Sequence, residues 1–139
     1  MTLAVASPVS IDTRPASGES QRVVFLTRHF RLWYAVVERE VLDALARLSG
    51  RDYEGGWRGH DLANGGCFLA PVDGTYRIDT SHGLAEVDAE TAGIAATLCA
   101  LQSLTEQHPT KQLFATRARQ LREFACEHPD AATVFGAAD

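Results

Sequence analysis

Long apolar runs are missing from this 139-residue sequence. Nothing in it approaches the roughly 18 to 20 consecutive apolar residues that a membrane-spanning helix requires, so no such span is expected. Cysteine is scarce. Cys67, Cys99 and Cys126 are odd in number and 32 and 27 residues apart, which fits neither a dense disulfide framework nor a CxxC zinc pair. They read as small apolar side chains of a protein in the reducing cytoplasm. The first 20 residues lack a basic segment followed by a sustained apolar one, so a secretory signal is not expected. A concentrated basic stripe is missing too. The net charge of −5 is spread as −1 over residues 1–21, +2 over 22–50, −3 over 51–87 and −3 over 88–139. Tight direct DNA binding through counterion release is therefore not expected. Imitation of DNA would need negative charge at nearly duplex density, about one per 1.7 Å. Here Arg117, Arg119 and Arg122 stand among Glu106, Glu123 and Glu127.

What is present suits one folded unit. Hydrophobic residues make up 45% and charged residues 22%, enough for one compact core and an ordinary surface. Residues 1–21 mix Ser, Pro, Gly, Thr and small apolar residues without periodicity and read as a flexible N-terminal arm, leaving a single domain over 22–139. The run Val23-Val24-Phe25-Leu26 suits either a strand or the lead-in to a helix. From Arg31 to Leu48, Trp33, Val37, Val41, Leu45 and Leu48 recur at helical spacing, and Ser49-Gly50 supplies the stop. Further helices are expected near 88–105, with Asp88 as N-cap, near 110–127, and over 130–137 after Pro129. Ile94, Leu98 and Leu121 are expected in the core. Between Asp52 and Thr80 the paired glycines Gly55-Gly56 and Gly65-Gly66 cut the chain into short pieces. Strands are expected near 56–62, 67–71 and 75–79, with Asn64-Gly65 as a type I′ turn and Val72-Asp73-Gly74-Thr75 as a second turn. The fold class expected is α+β: a three-stranded antiparallel meander, extendable to four strands, packed against three to four helices.

Few residue patterns carry chemistry. His29, His60, His82, His108 and His128 show no HxxxH or HxxEH spacing, and neither a metal nor a cofactor is expected. His60-Asp61 beside Cys67 holds the elements of Cys-His catalysis, but adjacent strand residues point to opposite faces, so a turn-proximal polar pair and a buried thiol are the stronger reading. The Gly pairs lack the GxGxxG or Walker pattern of phosphate loops, and turn geometry accounts for them. Arg22, Arg28, Arg31 and His29 form a modest basic cluster where an anionic partner could dock, a solvated face being its simpler reading. Tyr53, Trp57, Phe68 and Tyr76 lie in or beside the expected sheet, as core or as an exposed contact patch.

Four motifs in order carry a family resemblance. Tyr53-Glu54-Gly55-Gly56-Trp57 followed by Leu62-Ala63-Asn64-Gly65-Gly66-Cys67-Phe68-Leu69-Ala70-Pro71 resembles the YxGGYW…LxNGGxxMAP signature of the ArdB/KlcA antirestriction family. Phe25-Leu26-Thr27-Arg28-His29-Phe30 resembles its FLPRxF motif, Ala92-Gly93-Ile94-Ala95-Ala96 its AAGI helix, and His128-Pro129 through Phe135 and Asp139 its HPEAxxIFxxID terminus. The chain departs from that pattern where one residue is missing between Gly56 and Leu62, where Gly59-His60 replaces a Phe-Tyr pair, and at Thr27 in place of Pro. The resemblance implies a cytoplasmic, plasmid-borne inhibitor that protects incoming DNA from type I restriction enzymes without imitating DNA and without known enzymatic activity. Its partner would be a protein of the type I restriction pathway. Tyr53, Trp57, Asn64 and Phe68 on the Gly-paired meander are the expected contact residues, with Asp139 from the matched terminus. A redirected protein-interaction module on the same scaffold, or a small Cys/His hydrolase, are the alternatives.

Overall fold

The computed structural model describes residues 8–11, 19–53 and 55–139. Helix α1, Glu19–Phe30, settles the ambiguous apolar run as helical, because Phe25, Leu26, His29 and Phe30 fall on one buried face. Arg31 then takes a left-handed backbone (φ 54°), one 3-10 turn spans Arg31–Trp33, and helix α2 runs Tyr34–Ser49. The helix expected from Arg31 thus starts three residues late, since the left-handed residue interrupts the hydrogen-bond ladder. Val37, Val41, Ala44, Leu45 and Leu48 face inward, and Gly50 closes α2 by donating to the Ala46 carbonyl (2.9 Å).

The strands are antiparallel, as expected, but not one meander. Strands β1 (Pro8–Ile11), β2 (Trp57–Leu62) and β3 (Cys67–Pro71) form a sheet in the order β1-β2-β3, while β4 (Thr75–Thr80) pairs with β5 (Gly83–Asp88) as a separate hairpin. Pro8–Ile11, expected within the flexible N-terminal arm, instead aligns with Gly59–Leu62. Residues 1–7 and 12–18 of that arm lie outside the described residues. The third expected strand does not join β3, and at Leu69 the outer edge of β3 is closed by a side chain from α3. The Thr97 hydroxyl accepts from the Leu69 N–H (3.1 Å) and donates to the Leu69 carbonyl (3.2 Å). The β2–β3 turn also differs from type I′. Left-handed backbone is confined to Gly65, whose N–H donates to the Leu62 carbonyl (3.0 Å), and Asn64 Oδ1 accepts from the Gly66 N–H (3.0 Å). This is the pattern of a three-residue hairpin loop with a left-handed glycine.

Helix α3, Ala89–Gln107, lies at the centre of the molecule against α2, α4, α5 and β3. The Asp88 carboxylate caps it by accepting from the Thr91 N–H (2.8 Å), as expected. Every residue from Thr91 to Leu101 is buried. Gly93 is fixed by contact: a Cβ there would sit 2.5 Å from the Ala70 Cα and the Leu69 carbonyl oxygen, so only glycine lets helix and strand approach this closely. Helices α4, Gln112–Cys126, and α5, Ala131–Ala138, complete the shell. Ile94, Leu98 and Leu121 are fully buried, as their periodicity indicated.

Two outcomes follow for stability. Leu98→Ala leaves a cavity in the central helix and is expected to cost about 2 to 5 kcal/mol in denaturant unfolding. Thr97→Val keeps the shape of the side chain but strands the two backbone groups of Leu69, and is expected to cost about 1 to 3 kcal/mol. An unfolding curve for Thr97→Val that overlays the wild type would show that the β3 edge needs no closure.

Candidate functional site

The residues singled out from the sequence do not gather into one surface. Trp57 is 3% exposed and Phe68 fully buried, so both belong to the core and neither offers the contact surface expected of it. Trp57 packs on Phe25 (centroids 6.0 Å) and donates from Nε1 to Glu38 Oε2 (2.7 Å). Phe68 stacks between His60 (4.5 Å) and Phe124 (5.9 Å). The physical reason is the helix cover on both faces of the β2–β3 hairpin: Phe25 of α1 and Glu38 of α2 close over Trp57, and Phe124 of α4 closes over Phe68. Tyr53 is half-buried: its hydroxyl donates to the Gly56 carbonyl and its ring meets Tyr76 edge-on (6.3 Å). Asn64 is half-buried and donates from Nδ2 to the Gln120 carbonyl (2.8 Å). Asp139 lies far along the chain from these, exposed, and accepts both terminal nitrogens of Arg122 (3.1 and 3.2 Å). It borders a shallow groove of about 790 Å³ between α3, α4 and α5, whose lining mixes Glu106 and Glu123 with Arg119 and Arg122.

The His60, Asp61 and Cys67 combination does not assemble. In the β2–β3 register Asp61 lies opposite Cys67 and His60 opposite Phe68, so His60 points to the other face of the sheet. Cys67 is fully buried, and that burial pushes its thiol up to about 12, far from a thiolate nucleophile. Burial likewise holds His60 below its ordinary pKa of 6.5, and its Nδ1 is buried with no hydrogen-bond partner. Among the described residues, no three His, Cys, Asp or Glu side chains gather in a way that could hold a metal ion.

What does assemble is a polar network joining α1, β2, the β2–β3 turn and α4. His29 Nε2–H donates to Asp61 Oδ1 (2.5 Å), and Arg28 grips the same carboxylate with both terminal nitrogens (3.1 and 3.2 Å). Arg117 donates from Nε to the His29 carbonyl (3.4 Å) and from Nη1 to Gln120 Oε1 (2.8 Å). Gln120 Nε2 in turn donates to the Asn64 carbonyl (3.1 Å), reciprocating the Asn64 bond. Desolvation lowers the pKa of His29; the neighbouring Asp61 opposes this, while Arg117 and Arg28 add to it. Through its ring N–H, His29 orients Asp61. Arg28, His29 and Asp61 each stand out in the sequence, but nothing along the chain signals that they meet across 32 or more residues. Gln120 carries no sequence signal at all.

A second cluster sits at the start of α3. The Asp130 N–H donates to His128 Nδ1 (3.0 Å), which leaves the His128 proton on Nε2 to be donated to Glu90 (2.8 Å). The Thr91 hydroxyl donates to Asp130 Oδ2 (3.0 Å), so the His-Pro motif before α5 is pinned to the first turn of α3.

With this geometry in view, comparisons with known proteins converge. A family model described as antirestriction protein matches residues 51–139. The antirestriction protein KlcA of Escherichia coli is 35% identical over 144 residues, covering 97% of each chain. A second KlcA from the same species is 33% identical over 87% of this chain and 90% of its own. The chain is also similar, at 100% coverage of both chains, TM-score 0.80 and 31% identity, to a solved structure from work on KlcA and ArdB. Those proteins are described as having a novel fold and as acting against type I DNA restriction systems in vivo but not in vitro.

The two lowered histidines set a pH dependence. Below about pH 6.5 the unfolded chain takes up protons that folded His29 and His60 refuse, so stability falls as pH drops through that value and levels off below their folded pKa values. His60→Phe preserves the ring stack on Phe68 and removes the unpartnered nitrogen. Urea midpoints measured across this range are expected to fall less steeply with acid for His60→Phe than for the wild type. An equal acid loss in both would mean that His60 titrates normally in the folded state.

Proposed function

This chain belongs to the antirestriction protein family, and on that premise we propose that it relieves type I restriction in the cytoplasm by contacting a protein of the restriction pathway, without binding DNA tightly and without catalysis. The observation that carries the reading is the similarity over the whole chain to the KlcA and ArdB structure, whose proteins act against type I systems in vivo but not in vitro. An agent that simply occupied the DNA site of the enzyme would be active against purified enzyme. Dependence on the living cell points instead to a protein target or assembly that exists there. The charge distribution supports the same view, since a net −5 over 139 residues is far from duplex density. Against catalysis stand the buried, proton-holding Cys67 and the engagement of Asp61 with Arg28 and His29. No helix among the described residues is long and apolar enough to cross a membrane.

Plating of unmodified phage on a type I restricting host tests the reading. Expression of this chain is expected to raise plating efficiency toward that of modified phage, whereas the purified protein leaves DNA cleavage by the purified endonuclease unchanged. Absence of protection against several type I systems would overturn it. Inhibition of the purified enzyme would move the target from a cellular protein to the endonuclease itself.

A further inference from the structure

We propose that the tip between α1 and α2, formed by Arg31 and Leu32 with Trp33 and Lys111 beside them, docks an acidic segment of a partner protein that presents an apolar side chain to Leu32. The partner's role rests on the antirestriction reading; the surface itself rests on three observations.

Leu32 is 91% exposed, the most exposed large hydrophobic side chain among the described residues. It follows directly on Arg31, which at φ 54° ends α1 in the left-handed region and is the one non-glycine residue with positive φ among those described. Such conformations are uncommon for residues other than glycine, and this one fixes the direction in which Leu32 leaves the fold. The floor beside Leu32 is rigid, because Trp33 is braced edge-on by Phe114 (5.5 Å) and tilted against His108 (4.8 Å), with the Lys111 ammonium over its ring (5.7 Å).

Charge selects the partner. Residues 22–37 and 107–122 together hold seven of the thirteen Lys and Arg and none of the eighteen Asp and Glu. The fold brings these two segments together through the Trp33–Phe114 contact and the bond from Arg117 to the His29 carbonyl. The acids lie in the remainder of the chain together with the other six cations, so charge favours an acidic partner on this side. Acids from elsewhere reach part of this face: Asp61 holds Arg28, Glu38 approaches Arg22 (3.9 Å), Glu123 holds Arg119 and Asp139 holds Arg122. Arg31, next to Leu32 in the chain, and Lys111, over the Trp33 ring, make no ion pair among the described residues. An apolar centre within a charged rim is the anatomy of a protein interface. Duplex DNA would call for a row of uncommitted cations aimed at phosphates, which the internal pairing of the other arginines denies it.

Site-specific photocrosslinking in restricting cells tests the surface. A benzophenone side chain replaces Leu32 in one variant and Leu84, a 67% exposed residue of β5, in another. The expected result is a protein adduct at position 32 whose crosslinked peptide carries more Asp and Glu than Lys and Arg. That adduct is expected to be lost on adding Arg31→Glu and Lys111→Glu, and to be absent at position 84. No adduct, equal adducts at both positions, a neutral or basic peptide, or an adduct that survives charge reversal would each overturn the proposal. Binding of a short DNA duplex at physiological salt that disappears with Arg31→Glu and Lys111→Glu would assign the face to nucleic acid and also overturn it. In the plating assay, Leu32→Ser is expected to lose protection at unchanged melting temperature while Leu84→Ser keeps it; protection retained by Leu32→Ser would be a further refutation. If the wild type itself gives no protection, the antirestriction reading falls while the crosslinking result still decides the surface.

Discussion

The architecture depends on closing one strand edge inside the molecule. An edge strand buried against a helix leaves backbone N–H and C=O groups that water cannot reach, and each unsatisfied group costs about 1 to 3 kcal/mol. Thr97 answers both exposed groups of Leu69 with a single hydroxyl. That bond forms only if α3 lies almost on the strand backbone, and the absence of a side chain at Gly93 permits this. Close approach and edge closure are therefore one requirement. It also explains why α3 is apolar nearly all round, since a helix wrapped by strand and helices on every side has no solvent face to keep polar.

The remaining elements inherit their positions from this contact. With Leu69 on β3's outer edge bonded to Thr97, the chain after Pro71 turns away from the sheet, and β4 finds its partner in β5. Asp88 ends β5 opposite Thr75 and caps α3 in the same residue, so hairpin and central helix share a rigid joint. The Glu90–His128 and Thr91–Asp130 bonds fasten the entry to α5 at that same helix end. On the other side of the molecule, the Arg28–His29–Asp61 and Asn64–Gln120–Arg117 bonds fix α1 and α4 to the β2–β3 hairpin.

Much of this was legible along the chain because it rests on local rules. The periodicity of α2, the Asp88 cap, the Gly50 stop and the burial of Ile94, Leu98 and Leu121 follow from spacing and capping chemistry alone. The separation of β4 from β3 was not, because it depends on a threonine 28 residues from the strand it closes. Strand β1 was missed for a related reason: four residues in a Ser- and Pro-rich stretch carry no period, and their pairing with β2 is a tertiary outcome. The site was less legible than the fold. Arg28, His29 and Asp61 each belong to a recognisable polar cluster in the sequence, yet their union is a contact between a helix end and a strand. Tyr53, Trp57 and Phe68 looked like a contact patch because paired glycines flank them, whereas helices on both faces of the hairpin make Trp57 and Phe68 interior and half-bury Tyr53.

Burial of the hairpin's aromatics also bears on how the chain departs from the family pattern at residues 59 and 60. Gly59 and His60 stand where the pattern has two aromatics, and on an exposed sheet their presence would alter a partner surface. Both positions are instead packing positions. A Cβ at residue 59 would come within 2.7 Å of the Phe25 ring, so glycine there admits α1 directly onto the strand. On the opposite face the His60 ring lies parallel to Phe68, with an interplanar angle of 6°, and keeps the stack that an aromatic would make. One substitution trades a side chain on β2 for the ring of Phe25, and the other trades one flat ring for another. These two departures are thus absorbed by packing on either face of β2, Gly59 against Phe25 and the half-buried His60 against Phe68, while Thr27 is exposed on α1. The exposed tip at Arg31 and Leu32 lies on a different element, beyond the residues they touch, and its geometry is set by α1, α2 and α4.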